Sequence, residues 1–298
     1  MEWKQKFIDR YKELTDLDEF IACCSRPLRK SIRVNTLKTN IKEIKSRLRE
    51  YNLKQIPWCK EGFWLEGKAI GNTLEHFLGY IYLQEAASMI PPLVLNPKNE
   101  IVLDMCASPG SKTTQTASLM RNNGLIIAND IKIDRLKPLS INLQRCGVSN
   151  TIMTRMEGRF FRDEFDKILL DAPCTGTGAI RKSPKTPLMW NPNAVKRMAG
   201  IQRQLLFTAF DILKENGTLV YSTCTLEPEE NEGVINALLN KYENAKLEKI
   251  NLDIKRSNPI IEFEGKNYNE EIKKCLRIWP QGNDTEGFFV AKIIKQHE

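Results

Sequence analysis

Ile101-Val-Leu-Asp-Met-Cys-Ala-Ser-Pro-Gly-Ser-Lys112 reads as a short apolar strand, a tight turn and the opening of a helix over 111–121. In an α/β sheet, a turn at a helix start directly after the first strand is where a nucleotide-type ligand lies against backbone N–H groups. The glycines a pyrophosphate needs are missing. Gly110 stands alone, so neither GxGxxG nor GxxxxGK[ST] is present, although Gly110-Ser-Lys112-Thr113 imitates the end of the second. What fits is a nucleoside without phosphates. Twenty residues past Gly110, Asn129-Asp130 closes a second strand (125–128) and offers an acid to ribose hydroxyls. S-adenosylmethionine meets both requirements; without a ligand, the same stretch is a structural turn with a strand-end Asp.

Strands and helices alternate outward from this point. A helix over 132–145 carries Leu136, Leu139 and Leu143 on one side, and strands follow at 151–154, 167–171 and 217–222. Long helices are expected at about 193–213 and 229–241, with a last strand at 288–294. This rhythm predicts a mostly parallel sheet covered on both faces, binding its ligand at the carboxyl ends of its strands. Upstream, Trp3, Phe7, Tyr11, Leu14, Leu17 and Phe20 recur at near-helical spacing, which suggests one or two short amphipathic helices. A strand at 31–38 and a helix over 40–51, begun by Asn40, make half of a small α/β module. Pro91-Pro92 and Asn96-Pro97 punctuate the chain before the first large-sheet strand, and Gln84–Ile90 reads as a bridging helix. The expected division is an N-terminal domain over 1–84 and a second domain over 85–298.

Two strand ends carry thiols. The fourth strand runs into Asp171-Ala-Pro-Cys174-Thr-Gly-Thr-Gly178, and the fifth into Ser222-Thr-Cys224-Thr225. Both strands are expected beside the first, which would open both thiols into one cleft. A single buried cysteine is ordinarily inert packing; that reading is kept for Cys23, Cys24, Cys59, Cys146 and Cys275. The chemistry that needs two thiols and an acid is methyl transfer to cytosine C5. That carbon is too electron-poor to attack a sulfonium methyl until a thiolate adds at C6. A carboxyl group at N3 eases the addition, and Asp171 is placed to serve. A second base must then remove the C5 proton. With two histidines in the chain, the second thiol is the candidate.

The 298 residues are 41% hydrophobic and 28% charged, which excludes general disorder. No apolar run approaches a membrane span, and Met1-Glu2-Trp3-Lys4-Gln5-Lys6 is no signal peptide, so a soluble cytoplasmic protein is expected. The eight cysteines form no CxxC pair and no pattern with His, which argues against zinc and disulfides; no metal is expected. The net charge of +8 is unevenly spread: residues 26–60 hold eleven bases against two acids, and 181–203 hold six bases and no acid. The remainder is acidic by 7. Such concentration suits a polyanion partner, or else a solvated Lys-rich helix face.

Taken in chain order, Ser31-Ile-Arg-Val-Asn-Thr-Leu-Lys38, Gln84-Glu-Ala-Ala-Ser88, the 104–113 loop, Glu157-Gly-Arg159, Asp171–Gly178, Tyr221–Thr225 with Glu227-x-x-Glu230-Asn231-Glu232, and Gly287-Phe-Phe289 resemble the Sun/Nop2 family of RNA cytosine-5 methyltransferases. The resemblance runs from about residue 26 to the C-terminus. It implies a Rossmann-like methyltransferase fold, a seven-stranded, mostly parallel sheet with an antiparallel last strand, behind a small α+β RNA-recognition-like domain. It assigns Cys224 as nucleophile and Cys174 to proton removal or product release, beside Asp171. It places S-adenosylmethionine on Cys106, Ala107, Ser108, Pro109, Gly110, Ser111 and Lys112, with Asp130 on the ribose, Arg135 five positions on, Glu157 near the adenine, and Asp171 between cofactor and base. Ser108 and Ser111 replace the family's more usual Ala and Gly, and Glu157 stands where Asp is commoner.

A duplex hides C5 and C6 of cytosine, so the target must be single-stranded or flipped out. Arg181, Lys182 and Lys185, following the Cys174 loop, are expected on nearby phosphates. Arg29, Arg33 and Asn35 of the N-terminal motif are expected to touch RNA or support the site. Among substrates tRNA comes first, as in compact archaeal members, with rRNA second, since the chain stops at Glu298 without an added RNA-binding domain. A monomer is the default. The rival classes are an amino-group methyltransferase, from whose [DN]PP[YF] motif Asp171–Cys174 departs, a DNA cytosine methyltransferase using the Pro-Cys thiol, and a catalytically silent RNA-binding protein.

Overall fold

The computed structural model describes residues 2–67 and 69–297. Two short helices come first, α1 (Gln5–Lys12) and α2 (Leu17–Cys24), the second capped by Asp16, whose carboxylate accepts from Glu19 N–H. Next comes a four-stranded antiparallel sheet in the order β2-β3-β1-β4: β1 (Lys30–Val34), β2 (Lys54–Ile56), β3 (Cys59–Leu65) and β4 (Ile81–Leu83). Helix α3 (Ile41–Arg47), begun as expected by Asn40, which accepts from Glu43 N–H, lays Ile44 on Ile32, Val34, Phe63 and Ile81 of this sheet. A single-turn helix α4 (Leu74–Phe77) precedes β4.

Pro91-Pro92 opens a helix rather than interrupting the chain. α5 (Ile90–Leu95) carries the prolines in its first turn, where their missing N–H groups would have no intrahelical partner anyway. β5 (Ile101–Asp104), α6 (Ser111–Met120), β6 (Leu125–Asn129), α7 (Ile133–Cys146), β7 (Thr151–Thr154) and β8 (Phe165–Asp171) follow. After them come α8 (Thr186–Met189), α9 (Pro192–Asp211), β9 (Leu213–Thr223), α10 (Glu232–Lys241) and β10 (Ala245–Glu248). A hairpin of β11 (Glu262–Phe263) and β12 (Lys266–Asn267), then β13 (Leu276–Ile278), α11 (Pro280–Asn283) and β14 (Phe288–Lys295), complete the chain.

The large sheet runs β10-β14-β9-β8-β5-β6-β7, with β13 paired to β14 off this path. β5 to β9 are parallel and β14 is antiparallel to β9, so the Rossmann-like methyltransferase architecture is present. Period-two alternation sorts its core. Leu103, Ile168, Leu170, Leu219 and Tyr221 face α9 and α10, while Val102, Leu169, Val220 and Ile126 face α5, α6 and α7. One expected adjacency is corrected: β8 lies beside β5, but β9 lies beyond β8.

The first helices do not belong spatially with the small sheet. Phe7, Tyr11, Phe20 and Cys24 pack with Ile180, Trp190, Leu226 and Trp279, so residues 5–24 brace the methyltransferase face, although they fall within the expected 1–84 domain. The small sheet itself is pinned to the end of α7. Asn35 Nδ2 donates to the carbonyls of Gly79 and Cys146 (2.8 Å each), and Lys38 Nζ donates to those of Leu78 and Arg145. These donors satisfy carbonyls that a helix C-terminus leaves open.

Candidate active site

β8 and β9 pair in parallel with Asp171 opposite Ser222. Cys174 trails Asp171 by three residues and Cys224 trails Ser222 by two, so the register alone brings both thiols to one edge. Their sulfurs lie 3.3 Å apart. The Cys174 loop is then locked down at Gly178, whose N–H donates to Cys224 O (2.9 Å) and whose carbonyl accepts from Gly287 N–H (3.0 Å). A Cβ at Gly178 would lie 2.2 Å from Gly287 O and 2.8 Å from Cys224 O, so only glycine fits between these two backbones.

The hydrogen bond to Cys224 and then burial push Cys174 well above the ordinary thiol range, and either sulfur can donate across the contact. Beside them, Lys112 Nζ donates to Asp171 Oδ2 (2.7 Å) and Ser88 Oγ (3.2 Å), and Ser222 Oγ donates to Asp171 Oδ1 (2.7 Å). Burial works against the Lys112 charge, but Asp171, with Cys224 and Asp104, outweighs it and raises the ammonium above the usual lysine value. Asp104 lies behind, accepting from Thr113 Oγ1 (2.7 Å), and burial pushes it up to about 7.

A cavity of about 450 Å³ opens at these strand ends. Its walls include Cys106, Ser108, Asp130, Arg135, Glu157, Asp171, Cys174 and Cys224. The volume suits one nucleoside-sized ligand. Asp130 is almost wholly buried. Its Oδ2 accepts from Arg135 Nε (2.9 Å), and Arg135 Nη2 also donates to Ser108 O (2.8 Å), so Arg135 staples Asp130 to the first loop. Glu157 is half-exposed and pairs with Arg159 (2.6 Å). From the 106–112 loop only Cys106 and Ser108 reach the cavity wall; Ala107, Pro109, Gly110 and Ser111 form the turn behind it. Lys112 turns away from the cavity toward Asp171 and the thiols. Asn129, Ile131, Met156, Ile201 and Leu205 also line the cavity. The first two adjoin Asp130 in sequence, whereas Ile201 and Leu205 are one turn apart on α9 and became recognisable once its face was known.

The cavity fits S-adenosylmethionine on its own features: carboxylates for a cation and ribose, apolar side chains for a base, and no glycine-rich cradle for phosphates. Among the described residues no group of three or more His, Cys, Asp or Glu could hold a metal.

Several expected RNA contacts are interior. Arg33 is 2% exposed and donates to Thr114 Oγ1 (2.9 Å), and Asn35 is 1% exposed on the bonds given above; both join the two domains rather than face RNA. Arg181 is also buried, on the carbonyls of Pro27 (2.7 Å) and Thr285 and on Asp284 (2.7 Å). A guanidinium has enough donors to be satisfied by carbonyls, so its charge does not by itself mark a surface. Lys185 is exposed, Lys182 pairs with Glu286 (2.8 Å) while half-exposed, and Arg29 lies 3.7 Å over the Trp64 ring.

A family model described as 16S rRNA methyltransferase RsmB/F matches residues 92–294, and one for the N-terminal domain of 16S rRNA methyltransferase RsmF matches 4–86. The chain is 50% identical to the tRNA (cytosine(49)-C(5))-methyltransferase of Pyrococcus abyssi, over 98% of this chain and 96% of that protein. Against ribosomal RNA small subunit methyltransferase F of Aliivibrio fischeri it is 45% identical over 94% of its own length but only 60% of the relative's. Among solved structures, a methyltransferase homolog from Pyrococcus horikoshii matches at TM-score 0.83 and 39% identity, covering 98% of this chain and 99% of that one. NSun6 from the same organism, solved with SFG, matches at 0.87 and 25% identity over 99% of both chains. With the thiol pair, the acid-lined cavity and these matches together, the chain belongs to the RsmB/F (Sun/Nop2) family of S-adenosylmethionine-dependent RNA cytosine-5 methyltransferases.

Proposed function

We propose that this chain methylates C5 of a cytosine in tRNA through a covalent bond between Cys224 and C6 of the base. The observation that carries this reading is the thiol pair itself: Cys174 and Cys224 meet at 3.3 Å on the wall of the acid-lined cavity, and the raised pKa of Cys174 favours Cys224 as the sulfur that ionises and attacks. Lys112, raised in pKa partly by Cys224, adds a positive charge on the same side.

When the Cys224 thiolate adds to C6, electron density moves toward N3 and C5. Lys112 spends two of its three protons on Asp171 and Ser88 and has one left for the ring. Asp171, both of whose oxygens already accept, orients Lys112 and can accept from the cytosine amino group. Bound S-adenosylmethionine supplies the methyl group to C5. The C5 proton then passes to water, the C6–S electron pair returns to Cys224, and the Cys174 S–H hydrogen bond stabilises the departing thiolate. Of the two family roles for Cys174, its raised pKa favours assistance to release over proton removal.

RNA approach is supported by a groove of about 390 Å³ in which Arg29 and Lys30, from the first basic stretch, meet Lys182 from the second. tRNA is the first substrate because the Pyrococcus abyssi relative matches along nearly its whole length; rRNA is the second reading. Cys224→Ala should abolish methylation of tRNA transcripts and remove the covalent adduct with 5-fluorocytosine RNA. Loss of that adduct in Cys174→Ala instead would exchange the two roles.

A further inference from the structure

The methyl-transfer reading leaves Glu230, a fully buried carboxylate, without a task. Glu230 Oε2 accepts from the backbone N–H of Thr175 (3.0 Å) and from Gln202 Nε2 (2.8 Å). Its Oε1 accepts from the hydroxyl of Thr175 and lies 3.3 Å from that of Thr225. Three donors and this neighbouring hydroxyl enclose the carboxylate. Thr175 follows Cys174 and Thr225 follows Cys224, and Gln202 also donates to the carbonyl of Pro173, the residue before Cys174 (2.8 Å). The clamp extends through hydroxyls: Thr175 to Thr225 (3.0 Å), Thr225 to Thr177 (2.9 Å), and Thr177 accepting from Leu226 N–H (2.9 Å). Glu230 is not on the cavity wall and touches no reacting atom.

We infer that Glu230 is a positioning residue that fixes the spacing of the two thiols and, through Thr175 and Gln202, governs Cys174 more tightly than Cys224. The inference rests on the two-thiol reading above. Without the clamp, the Cys174 loop is deprived of two direct bonds and its support through Gln202, while Cys224 keeps its strand and the Gly178 contact. Attack at C6 therefore survives better than release, in which the C6–S bond breaks and the electron pair returns to Cys224. Glu230→Gln leaves one acceptor oxygen and turns an amide N–H₂ against donors, whereas Glu230→Asp keeps a carboxylate on a shorter arm.

The test uses the full chain with unmodified tRNA and small-subunit rRNA transcripts, S-adenosylmethionine, and denaturing gels that retain protein–RNA adducts. Glu230→Gln should lower turnover by about tenfold to a hundredfold, leave cofactor affinity unchanged, and accumulate an adduct on ordinary cytosine RNA, as Cys174→Ala should; Glu230→Asp should restore part of the turnover. If Cys174→Ala accumulates adduct and folded Glu230→Gln does not, the Glu230 role is wrong while the two-thiol reading stands. If neither does, both are wrong. Should Glu230→Gln fail to fold, Thr175→Val is expected to give the same adduct, and wild-type turnover with no adduct in that variant would overturn the role.

Discussion

Lys112 Nζ lies 2.7 Å from Asp171 Oδ2, and this contact ties the loop after β5 to the strand end that carries the first thiol. Lys112 is buried and Asp171 is 31% exposed, and Asp171 is the main counter-charge of the ammonium. Lys112→Met should reduce methylation by about 10²–10³-fold in kcat with cofactor affinity largely retained. Arginine should not restore it, because a planar fork cannot occupy the site of a compact ammonium. Equal losses of cofactor affinity and activity would return Lys112 to the cofactor side.

Gly178 is the tightest point of the Cys174 loop. Gly178→Ala should destabilise the protein by roughly 1–3 kcal/mol, because the methyl group meets backbone on two sides. The drop in methylation should exceed what the unfolded fraction explains, since the same contact orders Cys224. Thermal melting and single-turnover methylation on one preparation would separate the two effects.

Burial raises Glu85, Asp104 and Glu230 to about 7 each. Asp104 is also raised by Asp171 and Asp130 and lowered by Thr113 and Lys112; Glu85 is raised by Glu286 and lowered by Lys182. In the unfolded chain all three ionise near 4, so between about pH 4.5 and 7 the folded state holds protons that the unfolded state has shed. Stability from these groups therefore falls as pH rises through that window. Asp104→Asn should flatten the melting temperature between pH 5 and 8, because its Oδ1 has no hydrogen-bond partner to lose. A melting temperature that climbs from pH 5 to 7 in the wild type would refute this assignment.

The interior and surface bases should part company in RNA binding. Exchanging Lys182 and Lys185 for Ser should weaken RNA affinity and reduce its salt slope by about 0.7 for each phosphate the protein no longer neutralises. Arg33→Met should leave that slope unchanged and lower thermal stability instead, as the pin to Thr114 disappears. An altered slope in Arg33→Met would restore the guanidinium to the RNA surface.

Much of the large domain was legible because its strands are short apolar runs and its helices carry one apolar stripe; β5 to β9, α6, α7 and α9 all fall within a few residues of expectation. β3 and β10 are among the seven strands of the described residues that were missed, with β2, β4, β11, β12 and β13: Cys59–Leu65 buries residues without clean alternation, and Ala245–Glu248 is too short and charged to stand out. In the site, both thiols, Asp171 and Asp130 were recognisable at strand ends, whereas Glu157 came from the family resemblance. Charge arithmetic misled at Arg33 and Arg181, because a sum over side chains counts a buried guanidinium bonded to carbonyls as a surface cation. The strand order was misjudged for a different reason: chain order does not say which neighbour a strand takes.

Arg10 and Tyr11 of α1 hold Glu227, three residues past Cys224, through contacts of 2.9 and 2.8 Å across more than two hundred residues of chain. During synthesis the first helices must wait, without their partner surface, until that loop has emerged from the ribosome. Contacts of such long range are slow to form. The Cys224 loop is thus braced late, after most of the sheet has been made, and an incomplete chain carries this thiol without its support.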